Sequence, residues 1–400
     1  MEIKTVNLLR EWFRHYYNRY GEGLAPPNAE MREFAHIPFT TEDHTLMSRH
    51  QTLKKDEIAR FLAEKSPRHV YYSTAYYKTP GAPTMEGKTW LGADLTFDLD
   101  ADHLEVPCKK EHDRWRCPKC NKTGWGKKPG RCPTCGNPGL EENTWICDKC
   151  LGLVANETTR IIEEFLIPDF GFSKNEIAVN FSGRRGYHIH IYNKAVRQLD
   201  QRARREIVDY ITARGLEPKL HGIPPIPGSH GPLETDPGWR GRLASCAKGE
   251  LEKELARHGL KPSDDLWRRI SEGYWDQFKG WGEKKWRDIA VRGSSLRSGK
   301  TDEPVTTDIK RLIRLPNSLH GGSGFKVCPV RDPTEFDPLK DSLVFPMSKT
   351  VEIKIFEHAP PIRIADDTYG PYSPGEELEL PLGAAIFYLC NEVAEVVSGV

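Results

Sequence analysis

No apolar run in this chain approaches the ~18–20 residues that a membrane-spanning helix needs, and its start lacks the hydrophobic stretch of a signal peptide. Nor is there a surplus of charge: 58 Lys and Arg stand against 57 Asp and Glu, a formal net of +1. That excludes a basic nucleic-acid coat and an acidic tail protein alike, so any basic surface must be local. Internal repeats and low-complexity tracts are missing too. The 34 Gly and 30 Pro follow no period, which removes a collagen-like reading. What is present is a chain of 400 residues, enough for a sizeable core and for two or three domains, or one domain with large inserts. The first twenty residues repeat Val6, Leu9, Phe13, Tyr16 and Tyr20 at helical spacing and are expected to form an amphipathic helix. A soluble, intracellular protein is expected, with no membrane partner.

The stretch Leu95 to Asp102 reads LTFDLDAD. Side chains alternate along a strand, so Leu95, Phe97 and Leu99 belong to one face and Thr96, Asp98 and Asp100 to the other. Two carboxylates side by side repel, and each is driven toward protonation unless a positive charge sits between them. A pair of divalent cations about 3.5–4 Å apart, as in two-metal phosphoryl transfer, is the natural solution. Alone, such a pair is more often an acidic strand facing solvent.

Seven of the ten Cys lie between Cys108 and Cys150. In a reducing compartment that density speaks for metal rather than disulfides. Cys117/Cys120, Cys132/Cys135 and Cys147/Cys150 are CxxC pairs, and Cys108 has His112 one helical turn on. Eight ligands suffice for two tetrahedral structural Zn²⁺ sites. A nested arrangement is favoured, with Cys117, Cys120, Cys132 and Cys135 in a self-contained ribbon and Cys108, His112, Cys147 and Cys150 closing a site at its base. A cross-braced pairing is the competitor. From 108 to 150 there are ten Lys and Arg against five Asp and Glu, with Trp115, Trp125 and Trp145 interspersed. That mix fits a nucleic-acid contact and fits equally the core of a small zinc module.

Residues Ile177 to Asn193 read IAVNFSGRRGYHIHIYN, two strand-like runs about a Gly-Arg-Arg-Gly turn. His188, His190 and Tyr192 share one face of the second run. The paired arginines offer permanently charged forks for phosphate oxygens, and Ser182 and His188 stand close to the same turn. From Lys300 the chain runs KTDEPVTTDIKRLIRLPNSLHGGSG. A short helix capped by Thr307 or Asp308 is expected there, with Ile309, Leu312 and Ile313 inward and Pro316 beyond its end. Asp302, a third carboxylate, is expected just before a short β-type run. Between Asp200 and Val291 lie five of the ten Trp and many charged residues. Its DDLWRRISEGYWDQFKGWGEKKWRDIA stretch reads as amphipathic helices whose Trp serve as core, and HGIPPIPGSHGPLETDPGWRG from His221 reads as a loop.

These pieces occur in an order that resembles the small, catalytic subunit of archaeal and eukaryotic DNA primases, the archaeal form most closely. The resemblance is carried by REF at 32–34, RHQTL at 49–53, VYYSTAYYKTP at 70–80, FDLDADH at 97–103, SGRRGYHIHIY at 182–192 and DEPVTTDIKRLIRLPNSLHGGSG from 302. PYSPGEELELPL extends it toward the end. It implies that Asp98, Asp100 and Asp302 bind catalytic Mg²⁺ or Mn²⁺. It implies that Ser182, Arg184, Arg185, His188, Arg314 and His320 bind nucleotide, with Glu33 and Arg49 near it. The family's basic residue at Arg314 is a lysine in some relatives. Many relatives carry one zinc site, matched here by Cys108, His112, Cys147 and Cys150, with Cys147 and Cys150 ahead of a helix from Val154 to Leu166. The Cys117 to Cys135 ribbon is then an additional insertion.

The implied fold is an α/β (α+β) primase-type core with mixed or antiparallel sheets, a zinc-binding insertion and a helical subdomain. The core is expected over 1–198 and 296–400, the insertion over 107–151 and the helical subdomain over 199–295. The implied activity is nucleotidyl transfer, making short RNA primers on single-stranded DNA from nucleoside triphosphates during replication. A large primase subunit, usually an iron–sulfur protein, is the implied partner, in the cytoplasm at the nucleoid. Two alternatives remain: a repair or translesion primase-polymerase preferring deoxynucleotides, and an inactive zinc-ribbon scaffold that binds nucleic acid.

Overall fold

The helix Ile3–Tyr20 buries Val6, Leu9, Phe13, Tyr16 and Tyr17 and leaves Tyr20 exposed. It stops at Gly21, whose N–H donates to the Tyr17 carbonyl, and packs against the helix Ile58–Lys65. The Val396 N–H donates to Thr5 Oγ1 at 3.1 Å, and Lys4 Nζ donates to the Val397 carbonyl at 3.0 Å. The first helix is therefore closed by the last strand. The structure is a computed structural model that describes residues 2–21, 23–40, 46–224, 230–259, 261, 263–275 and 282–397. It divides into two units, Met1–Thr159 with Asn175–Arg202 and Asp302–Val400, and Arg160–Lys174 with Ala203–Thr301.

The first unit is a mixed α/β body built on small antiparallel sheets. One sheet runs in the order Leu312–Arg314, His69–Ser73, Phe34–Ile37, Ser48–Gln51. A second runs Pro329–Val330, Ile177–Phe181, Gly186–Ile191, Leu95–Asp100. Leu95, Phe97 and Leu99 are at most 1% exposed. Burying each such side chain contributes about 1.5–3 kcal/mol, which fixes the face on which Asp98 and Asp100 stand. A third sheet, Glu377–Pro381, Thr350–Ile355, Ala394–Val396, wraps the fully buried helix Leu382–Cys390. The cysteine-rich segment adds its own sheet of Thr123–Trp125, Arg114–Arg116 and Glu141–Asn143.

Three local expectations fail. The segment around Asp308 to Leu315 is not a helix: Leu312–Arg314 is a strand paired antiparallel with Tyr71–Ser73. The helix lies earlier, over Glu303–Thr307, so Asp302 precedes a helix rather than a β-type run. Pro304 explains the shift, since its fixed φ and missing N–H suit the first helical turn. The helix expected from Val154 starts sooner, at Asp148, runs to Ile161 and continues in a π turn over Ile162–Leu166.

In the second unit the helices Gly238–Arg257, Asp264–Ser271 and Glu283–Arg297 enclose Ile223, Leu243, Leu251, Trp275, Trp286 and Ile289. Trp239 is 2% exposed and donates to the Tyr210 carbonyl, while Trp267 packs at the edge of the core. These indoles are core, as their helical spacing predicts. Trp281 and residues 225–229 of the Pro/Gly-rich stretch lie outside the described residues. That stretch ends in helix from Gly238, with Pro237 at the cap position. No helix among the described residues is long and apolar enough to cross a membrane.

Candidate active site

The strand Leu95–Asp100 pairs with Gly186–Ile191 in a register that sets His188 opposite Asp98 and Gly186 opposite Asp100. His188 Nε2 lies 3.6 Å from Asp98 Oδ1. A Cβ at Gly186 would collide with the Leu99 carbonyl oxygen, so only glycine permits this approach. The Asp302 N–H donates to the Asp98 carbonyl at 2.9 Å. This backbone bond brings the third carboxylate to the same strand, with its side chain 20% exposed and His103 Nε2 3.9 Å from its Oδ2. Burial pushes Asp98 up to about 6, and the Asp302 charge adds to the rise. Asp100 is raised as well, by burial and then by Asp102. Asp98 and Asp100 are thus carboxylates whose charge is disfavoured unless a cation offsets it. All-oxygen donors of this kind fit a hard divalent ion such as Mg²⁺ or Mn²⁺. The trio does not close to the tight spacing of the cysteine sets described below.

Beside the carboxylates lies a knot of basic groups. Gly183 turns the hairpin with φ +87°, and a Cβ there would come within 2.7 Å of His320 Cβ. Ser182 Oγ accepts from the Gly186 N–H at 3.2 Å. Arg185 is 1% exposed, with Nη1 3.2 Å from Asp102 Oδ1 and Nη2 3.4 Å from Asp113 Oδ2. Arg184 donates through Nη2 to the Thr144 carbonyl at 2.9 Å and to Asn391 Oδ1 at 3.3 Å, while its Nε has no hydrogen-bond partner. Burial and the neighbouring Arg185 lower Arg184 to about 10. His188 is lowered to about 3 by burial, Arg314 and Arg311. Arg314 Nη1 bonds His69 Nδ1 at 2.8 Å and lies over the Tyr71 ring. His320 stands edge-on to His69, with centroids 4.9 Å apart, and is held well below the usual histidine range by burial, Arg314 and His69. Buried arginines and neutral imidazoles grouped in this way can offer donors to phosphate oxygens.

Glu33 and Arg49 meet elsewhere in the unit. Glu33 is fully buried, paired with Lys88 Nζ at 2.6 Å and Arg49 Nε at 3.2 Å, and accepts the His50 N–H. Sequence reasoning passed over Lys88, His69, Arg68, Arg311 and Asp113. Each has a partner distant in the chain, Asp113 through Arg185 besides its neighbour His112, and the alternation of His69 with Tyr71 along their strand is a local hint.

The cysteines form two sets whose ligand atoms all lie within 4.8 Å of one another: Cys108, His112, Cys147, Cys150 and Cys117, Cys120, Cys132, Cys135. This is the nested pairing. Sulfur separations of 3.3 Å for Cys108–Cys150, 3.5 Å for Cys117–Cys135 and 3.6 Å for Cys120–Cys132 approach the ~3.8 Å edge of a tetrahedron with ~2.3 Å zinc–sulfur bonds. The residues present fit zinc. His112 turns its Nδ1 to Asp113 Oδ1 at 2.8 Å, the outer-shell carboxylate that orients a ligating imidazole.

Residues 135–333 match the family described as DNA primase small subunit. The chain is 35% identical to the DNA primase small subunit PriS of Methanothrix thermoacetophila, over 99% of this chain and 100% of that protein. It is 33% identical to the protein of the same name from Methanococcoides burtonii, over 99% of each. The chain belongs to the DNA primase small-subunit family. The matched stretch holds the hairpin arginines, Asp302, Arg314, His320 and the Cys147/Cys150 pair, while the near full-length likeness extends over Asp98 and Asp100. A further primase small subunit, from Halorubrum lacusprofundi, is 34% identical over 86% of each chain.

Proposed function

We propose that this chain is the catalytic subunit of a DNA primase, joining nucleoside triphosphates into short RNA primers on single-stranded DNA for replication. The observation that carries this reading is the backbone bond from Asp302 to Asp98, which adds a third carboxylate beside the basic knot. Asp98, Asp100 and Asp302 would hold two Mg²⁺ or Mn²⁺ ions, which supply activation of the attacking 3′-hydroxyl and charge for the departing pyrophosphate. Ser182, Arg184, Arg185, His188, Arg314 and His320 bind and orient the triphosphate and offset charge that grows on its oxygens, an electrostatic contribution. Glu33 and Arg49, with Lys88, lie near the nucleotides in this reading. The two Cys/His sets hold structural zinc. The catalytic core takes in 1–198 and 296–400, the zinc insertion 107–151 and the helical subdomain 199–295. A large subunit, an iron–sulfur protein, is the proposed partner in the cytoplasm, at the nucleoid.

The test is primer synthesis on single-stranded DNA with labelled ribonucleotides and Mg²⁺ or Mn²⁺, wild type against Asp98→Asn/Asp100→Asn. Products from wild type alone are expected. Extension of a supplied primer without de novo products would place initiation with the large subunit. No incorporation with primer and large subunit both present, or near-normal turnover by the double variant, would sink the mechanism. The neutral variants relieve the repulsion at Asp98, so their melting temperature should equal or exceed that of wild type in Mg²⁺-free buffer.

A further inference from the structure

The three tryptophans of the zinc insertion separate into two kinds. Trp115 is 8% exposed and packs with Cys117, Cys132 and Leu140. Trp145 is 1% exposed and sits edge-on to Phe387. Trp125 is different. It is 51% exposed, although an indole is the largest apolar group a chain can hide. The Arg114 guanidinium lies over its ring at 5.1 Å and His358 meets it edge-on at 5.5 Å. Phe356 nearby is 41% exposed.

Arg114, Phe356 and His358 line an open cavity of about 580 Å³, and Trp125 stands beside it through its contacts with Arg114 and His358. One wall is the insertion's sheet from Arg114 to Arg116 and Glu141 to Asn143, and the other is Phe356 to His358 with Cys390 to Glu392. Arg68 and Arg184 line it as well. None of Asp98, Asp100 or Asp302 lines it, and Arg184 is the one residue it shares with the basic knot. Arg68 is 7% exposed and pairs through Nη2 with Glu392 at 2.6 Å, but its Nε and Nη1 have no hydrogen-bond partner. Arg184 Nε is likewise without one. Leaving a buried donor unmade costs about 1–3 kcal/mol, and a charged one more, so a cavity lined this way is built to receive an acceptor. Of the four wall carboxylates, Glu141, Glu142, Glu357 and Glu392, three are already paired, with Arg116, Lys128 and Arg68, and the Arg68 and Arg184 nitrogens named above still lack an acceptor.

Arginine donors in a cavity with an aromatic rim match one repeat unit of a single strand, with phosphate inward and base stacked outward without regard to sequence. We infer that this cavity, with Trp125 and His358 at its rim, is a second nucleotide-binding subsite for single-stranded nucleic acid, apart from the triphosphate site around Asp98. Template DNA and the growing RNA share the chemistry it recognises. The inference goes beyond primer synthesis and needs no turnover, so it can fail while the catalytic reading stands.

The test is fluorescence anisotropy on the full chain with zinc retained and Mg²⁺ omitted. The probes are a labelled oligothymidylate and a labelled 5′-triphosphorylated oligoribonucleotide. Trp125→Ala should weaken at least one probe by roughly ten-fold, within the range for loss of one base–aromatic stack, and Trp125→Phe should restore most of it. His358→Ala, outside the insertion, should weaken the same probe in a chain whose zinc insertion is untouched. Loss on DNA alone assigns the site to the template, loss on RNA alone to the primer's 5′ end, and loss on both to either strand. Unchanged affinity of Trp125→Ala and His358→Ala for both probes would overturn the inference.

Discussion

Asp113 serves three neighbours with one carboxylate. Its Oδ1 takes His112 Nδ1 and the Trp145 N–H, and its Oδ2 faces Arg185 Nη2. Burial alone would raise Asp113, yet His112, Arg185 and the Trp145 N–H hold it below the usual carboxylate range. Asp113→Asn should therefore weaken zinc retention by about 10–100-fold and raise KM for nucleotide more than it lowers kcat. Chelator competition and initial rates read the two effects separately; an unchanged KM would disconnect Asp113 from the arginine. Glu33 makes a pH prediction. Burial raises its carboxyl, but Lys88, Arg49 and the His50 N–H more than reverse this and leave it lowered. Such a group stabilises the fold fully above the unfolded value of about 4.3 and loses that contribution as pH falls through the lower folded value. Glu33→Gln should cost about 3–5 kcal/mol near pH 7, because Lys88 stays buried without its partner. Urea denaturation across pH should show the gap closing in acid, and a gap that holds constant would refute it. Asp98 and Asp100 were legible in the sequence because a strand's period of two is local. His69 and the Arg185 contact of Asp113 were not, because they are set by tertiary contacts that no spacing encodes.

At the scale of elements, the hairpin and the aspartate strand depend on contact that only glycine allows. Gly186→Ala must push against the Leu99 carbonyl, and overpacking of this kind costs about 1–3 kcal/mol. A lower melting temperature together with lost incorporation is expected, and an unperturbed variant would mean the strands tolerate wider spacing. The zinc insertion has a small core of its own around Trp115 and Leu140. Cys117→Ser should halve the zinc content by mass spectrometry while the rest of the first unit keeps its hydrogen-exchange protection; global loss of protection would show that the ribbon supports more than itself. The CxxC spacing announced both sets, since ligand geometry constrains sequence locally. The stretch after Asp302 misled for the opposite reason. Leu312, Ile313 and Arg314 fit either period, and pairing with Tyr71–Ser73 decides for strand.

At the scale of the molecule, the second unit rests on tryptophan. Trp286 is 4% exposed and meets Trp275 at 5.9 Å. Trp286→Ala should cost about 3–5 kcal/mol, with faster hydrogen exchange concentrated in Ala203–Thr301. Uniform acceleration across the chain would contradict a core that belongs to this unit. That the indoles here are core was legible from helical spacing, whereas the joining of distant chain segments was not. The contact between Thr5 and Val396 carries this furthest. Thr5 waits for Val396, 391 residues further along, before its helix is closed, and Asp98 waits for Asp302. At ~5–20 residues per second, a nascent chain keeps the apolar side of that helix uncovered for tens of seconds. A chain that stops between the two members of either pair leaves the first without its partner, a target for chaperones and proteases.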